Sequence, residues 1–110
     1  MTYVEIYHKG AKLVSEPVKY SFLIAKNDPS GDISWERDDQ SNPGEGTVNA
    51  WIQSASFNPR ILGVLPEWQL IIDGEKMEPK FYNEIENLKG KIVELQHGDY
   101  RFVFHFEPLP

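Results

Sequence analysis

The 110-residue sequence predicts a mainly β protein: an antiparallel β-sandwich or barrel-like roll with one short α-helix over residues 79–89. Three observations predict it. Apolar and polar residues alternate with a period of two through most of the chain. Turn-forming residues recur about every 8–12 positions, dividing the chain into some seven or eight short strands. A single segment near the C-terminal end carries helical spacing instead. The alternative is an α+β arrangement in which one curved antiparallel sheet packs on that helix.

Each element has its own warrant. Thr2–Lys9 sets Val4, Ile6 and His8 on one face, with Tyr3, Glu5 and Tyr7 on the other. Val18–Ala25 aligns Val18, Tyr20, Phe22 and Ile24. Ile33–Arg37 is a short strand with Ile33, Trp35 and Arg37 on one side. Thr47–Phe57 places Val48, Ala50 and Ile52 opposite Trp51, Ala55 and Phe57, until Asn58–Pro59 breaks the pattern. Alternation resumes over Trp68–Ile72 and runs into Asp73–Gly74, a two-residue hairpin signal.

In EPKFYNEIENLKG, Pro79 suits a first helical position, Phe81, Ile85 and Leu88 recur at helical spacing, and Gly90 suits a stop. Lys80 and Glu84 can pair one turn apart, for a few tenths of a kcal/mol. The C-terminal KIVELQHGDYRFVFHF is a hairpin with two available registers. A turn at His97–Gly98 pairs Glu94 with Arg101, and a turn at Gly98–Asp99 loses that pairing. Either way Val93, Leu95, Tyr100, Phe102, Phe104 and Phe106 share one face and form a core wall.

Composition bounds the class. With 40% hydrophobic and 13% aromatic residues the chain can bury a core, and its length suits a single domain over residues 1–110. It has no cysteine, which removes disulfides, thiolate chemistry and Cys-based zinc sites. MTYVEIYHKGAK lacks the basic start and apolar run of a signal peptide, and the longest apolar runs, at Phe22–Ala25 and Ile61–Leu65, are too short to span a bilayer. A cytoplasmic protein with no membrane partner is the expectation.

The net charge of −6 is unevenly distributed. Residues 28–45 carry Asp28, Asp32, Glu36, Asp38, Asp39 and Glu45 against Arg37 alone, a charge of −5 over 18 residues. Residues 1–27 are net +2 and residues 46–110 net −3. Such a segment repels phosphate backbones and anionic membranes, so nucleic acid is not an expected partner and a basic protein is. An acidic loop that only aids solubility would look the same.

Motifs for chemistry are sparse. DDQSNPGEG fails as an EF-hand in both frames: from Asp38 the turn position is Pro43 and the twelfth residue Asn49, and from Asp39 the twelfth is Ala50. A looser calcium site on Asp38, Asp39 and Glu45 is left as an alternative, with no metal or cofactor expected. His8, His97 and His105 show no local metal-ligand spacing, and Asp38 and Asp39 are adjacent and point apart on an extended chain. Neither a nucleophile elbow nor a phosphate-cradling glycine loop is present, and Gly44–Gly46 precedes a strand rather than a helix. Enzyme activity is not expected; a hydrolase would have to pair His8 or His105 with a distant carboxylate.

Tryptophans flank the acidic segment, at Trp35 and Trp51, and such residues are enriched at interface hot spots. Small size, acidity confined to one region and the lack of a catalytic signature resemble the cytoplasmic immunity proteins of bacterial toxin systems, including contact-dependent growth inhibition. The resemblance is one of character and extends to no residue motif. It implies a protein that neutralises a cognate cationic toxin domain, such as a ribonuclease or deoxyribonuclease, by occluding its active site with carboxylates. The contact would then comprise Asp28, Asp32, Trp35, Glu36, Asp38, Asp39 and Glu45. The alternative is a β-sandwich recognition module for carbohydrate, calcium or a protein ligand.

Overall fold

A computed structural model describes residues 2–26, 33–37, 47–54, 59–79 and 85–107. Among these, ten strands form two antiparallel sheets. They are β1 (Tyr3–His8), β2 (Ala11–Pro17), β3 (Ser21–Lys26), β4 (Ile33–Arg37), β5 (Thr47–Gln53), β6 (Arg60–Val64), β7 (Gln69–Ile72), β8 (Glu75–Met77), β9 (Ile92–His97) and β10 (Tyr100–His105). The larger sheet has the order β2-β1-β10-β9-β7-β8 and the smaller the order β4-β3-β5-β6. No helix among the described residues is long and apolar enough to cross a membrane.

Alternation builds the core as the sequence predicts. Val4 and Ile6 of β1, Val93 and Leu95 of β9, and Phe102 and Phe104 of β10 are all fully buried on one face of the larger sheet. They meet Phe22, Ile24, Ala50 and Ile52 of the smaller sheet in one apolar cluster. Phe22 sits edge-on to both Phe102 and Phe104, at 6.0 and 5.2 Å between ring centroids, and so joins the two sheets.

Turn chemistry fixes the hairpins. Lys9–Gly10 and Asp73–Gly74 both hold two successive residues at positive φ, the type I′ pattern whose twist matches paired strands. Asp73 also ties its turn to β9: its N–H donates to the Ile92 carbonyl, and its Oδ1 accepts the Ile92 N–H, each at 2.8 Å. At the C-terminal hairpin Tyr100 pairs with His97, so the turn is Gly98–Asp99, with Gly98 at φ 57°. Glu94 is therefore opposite Val103 rather than Arg101, although the two charges still approach diagonally to 3.9 Å.

Other departures have local causes. β2 lacks the clean alternation of β1 and β9: most of it is solvent-exposed, and Leu13 is squeezed out where its pairing to β1 slips by one residue. Tyr20 lies in a bend before β3 and is exposed, so it does not continue the Phe22–Ile24 face. The strand expected over Thr47–Phe57 ends at Gln53, and residues 55–58 are outside the described residues. Of the helix expected over 79–89, residues 80–84 are likewise outside them, and 85–89 are not helical. Ile85 instead forms an antiparallel bridge with Ile61, its carbonyl accepting at 2.9 Å and its N–H donating at 3.0 Å. Leu88 is buried and Ile85 partly so, both against the core.

Candidate functional site

Of the residues expected at a partner contact, Asp28, Asp32, Asp38, Asp39 and Glu45 lie outside the described residues. Trp35 and Glu36 belong to β4, an outer strand of the smaller sheet. Ile33 and Trp35 pack against the core, and the Trp35 ring meets Phe102 edge-on at 5.7 Å. Trp35 is half-buried, and this packing holds β4 firmly against the body of the protein.

Strand pairing aligns one row of residues across this sheet. Glu36 is opposite Leu23, Leu23 opposite Trp51, and Trp51 opposite Gly63, so the four form one row across β4, β3, β5 and β6. Trp51 is half-buried there. The second tryptophan of the WERDDQSNPGEGTVNAW stretch thus belongs to the outer face, whereas the first is turned to the core.

Among the described residues, a connected group of ionisable side chains lies on the outer face of the larger sheet, where sequence reasoning placed none. Glu5 sits near its centre. Its carboxylate accepts from Lys12 Nζ at 2.8 Å and from the Tyr7 hydroxyl at 3.1 Å, and meets His105 Nε2 at 2.6 Å. Hydrogen bonding from Lys12 first, then from His105 and Tyr7, holds the Glu5 carboxyl down at about 2, against the opposing pull of partial burial. Glu5 in turn raises the Lys12 ammonium.

Aromatic rings and a second ion pair extend the group. Tyr3 stacks on His105 with centroids 4.4 Å apart and planes within 8°. The Arg101 guanidinium lies over the Tyr7 ring at 4.5 Å and pairs with Glu94, which accepts from Gln96 at 3.2 Å. Val103 lies amid these long polar side chains and is only 4% exposed despite being on the outer face. The signal was present in the sequence, since Tyr3, Glu5 and Tyr7 share a face; what was missing was the pairing of β1 with β10, 100 residues along the chain.

His105 and Glu5 form the histidine–carboxylate pair that a hydrolase reading required. The partners of the ring among the described residues are Glu5 and Tyr3, with no nucleophile hydrogen-bonded to it. The other two histidines lie at one end of the core. His8 stacks on Tyr100 at 4.4 Å, and His97, the last residue of β9 rather than a turn residue, packs against the buried Trp68 at 5.0 Å. His8, Tyr100 and His97 are directly opposite one another across β1, β10 and β9. Among the described residues no group of three or more metal-binding side chains converges. No protein-family model, curated protein or solved structure matches the chain.

Proposed function

We infer that this chain is a β-sandwich immunity protein: it binds a cationic toxin domain, of the nuclease kind, and occludes its active site with an acidic surface. The observation that supports the reading is the charge map, −5 over residues 28–45 in a chain whose net charge is −6. A nuclease must present lysine, arginine and histidine to phosphates, and a cluster of carboxylates competes for that same field. Ile33 and Trp35 pack against the core and hold β4, which carries Glu36, on the smaller sheet. The protein works by binding rather than by catalysis, in the cytoplasm, without a cofactor.

The acidic surface comprises Glu36 with the neighbouring Asp28, Asp32, Asp38, Asp39 and Glu45. A carbohydrate-binding module draws on exposed, coplanar indoles, whereas Trp68 is buried and Trp35 meets Phe102 edge-on. The test is neutralisation. The C-terminal domain encoded by the reading frame adjacent to this gene is expressed in a bacterial host, alone and with this chain. Arrest of growth by the domain alone, relieved by co-expression, is the expected result. A domain that is harmless, or equally toxic with this chain present, refutes the reading.

A further inference from the structure

One end of the inner face of the larger sheet is lined by rings rather than by aliphatic side chains. Alternation carries the core face of β1, β10 and β9 from Ile6, Phe102 and Leu95 to His8, Tyr100 and His97, on the last rung before the turns. These three are half-buried, whereas the rung beneath them is fully buried. His8 stacks on Tyr100 at 4.4 Å. Trp68 closes the group: its backbone N–H donates to the Leu65 carbonyl at 3.1 Å, and its ring packs on His97 at 5.0 Å and on Phe102 at 5.9 Å.

Trp68 is 2% exposed, and its indole Nε1 is buried without a hydrogen-bond partner. An indole nitrogen can only donate, and a donor buried without an acceptor bears the full cost of its lost hydration. Water alone is a poor remedy. A buried water uses about three polar partners, whereas the ring contacts of this indole are the imidazole of His97 and the apolar ring of Phe102.

An acceptor oxygen on a flat, apolar body meets the need better: the oxygen takes the indole N–H and the body lies among the rings. The Trp68 and His97 planes are tilted by 42°, so this pair forms a wedge rather than a closed stack. Imidazole and phenol can each donate as well, and among the described residues no carboxylate pairs with His8 or His97. Donors of this number suit an oxygen that carries charge, as in a carboxylate.

We propose that Trp68, His97, Tyr100 and His8 form a binding site for a small planar carboxylate, with the Trp68 Nε1–H as its buried donor. The site uses none of the residues of the acidic segment, so it stands or falls independently of the cationic-partner reading.

Benzoate is the probe. Benzylamine is the control, since it has a similar ring and a cationic donor in place of the acceptor. In nitrogen–proton correlation spectra of the full chain, benzoate should move the Trp68 indole N–H to saturation, together with the backbone signals of His8, His97 and Tyr100. Benzylamine should bind at least about tenfold more weakly, the worth of one charge-assisted hydrogen bond. Trp68→Phe identifies the indole signal and should abolish the preference for benzoate. Should that variant lose its folded spectrum, His97→Phe keeps a ring and loses its nitrogens, and should weaken benzoate severalfold while leaving benzylamine unchanged.

An indole N–H that does not respond to benzoate, equal affinity for the two probes, or shifts confined to residues away from this end of the sheet overturns the proposal. So does cross-relaxation of that N–H with a bound water that benzoate does not displace, which makes the site a seat for water only.

Discussion

Replacing Glu5 with glutamine removes a negative charge on which three donors converge, those of Lys12, His105 and Tyr7. The Glu5 carboxyl is held at about 2 against an ordinary 4.5. At 1.36 kcal/mol per unit the charged form is favoured in the folded state by at most roughly 3.4 kcal/mol. Lys12 is half in water, with 48% of its side chain exposed, so screening and side-chain entropy reduce this to about 1–2 kcal/mol. For a chain of this size that corresponds to a fall of roughly 4–9 °C in the unfolding midpoint at pH 7.

Because the folded value lies below the unfolded one, this stabilisation is fully present above pH 4.5, fades as the pH falls and is lost below about 2. Thermal unfolding of the wild type and of Glu5→Gln at pH 7, 4.5, 3 and 2 measures it. The gap between the two proteins should close across that window. A gap at pH 7 below about 0.3 kcal/mol, or one that persists unchanged at pH 2, refutes the assignment of Glu5 as a charge anchor of β1, β2 and β10.

The remaining predictions concern the core, a turn and the acidic segment. Phe102→Ala removes a fully buried ring in contact with Phe22, Trp35, Trp68 and Tyr100, and should cost roughly 3–5 kcal/mol by urea unfolding. Gly74→Ala meets no atom within 4 Å, so only its backbone at φ 83° resists; a loss of about 1–2 kcal/mol in denaturant unfolding is expected. Asp38→Asn combined with Asp39→Asn should slow association with the toxin domain severalfold at low salt, as read by stopped-flow, and the difference should shrink as salt is raised. Unchanged rates would remove these residues from the contact.

The fold was legible where one face of a strand is buried and the other is wet. β1, β9 and β10 meet that condition, and Val4, Ile6, Val93, Leu95, Phe102 and Phe104 occupy the face that their spacing predicts. β2 is an outer strand exposed along most of its length, so burial imposed no alternation on it. The segment around Ile85 and Leu88 misled for the opposite reason. Ile85, partly buried, and Leu88, buried, are three apart and fit a helix, yet here they meet the β6 side of the core, where Ile61 and Pro59 accept their backbone N–H groups. The Glu5 group was hidden because His105 and Glu5 become neighbours only through the pairing of β1 with β10, which no local pattern encodes. Trp35 and Trp51 looked alike as flanks of an acidic stretch; strand parity turns one inward and the other outward.

The adjacency of β1 and β10 in the larger sheet, together with the 3.0 Å hydrogen bond from the Glu107 N–H to Thr2 Oγ1, has a consequence for synthesis on the ribosome. The β1–β2 hairpin emerges first but cannot be covered on its other side until residues 100–105 have been made. One edge of β1 therefore waits without its strand partner through nearly the whole of translation. Long-range strand pairing of this kind folds slowly, on the order of milliseconds to seconds. The bulge and Pro17 of β2 then protect the waiting nascent hairpin on one side, and β1 has no such protection on the other.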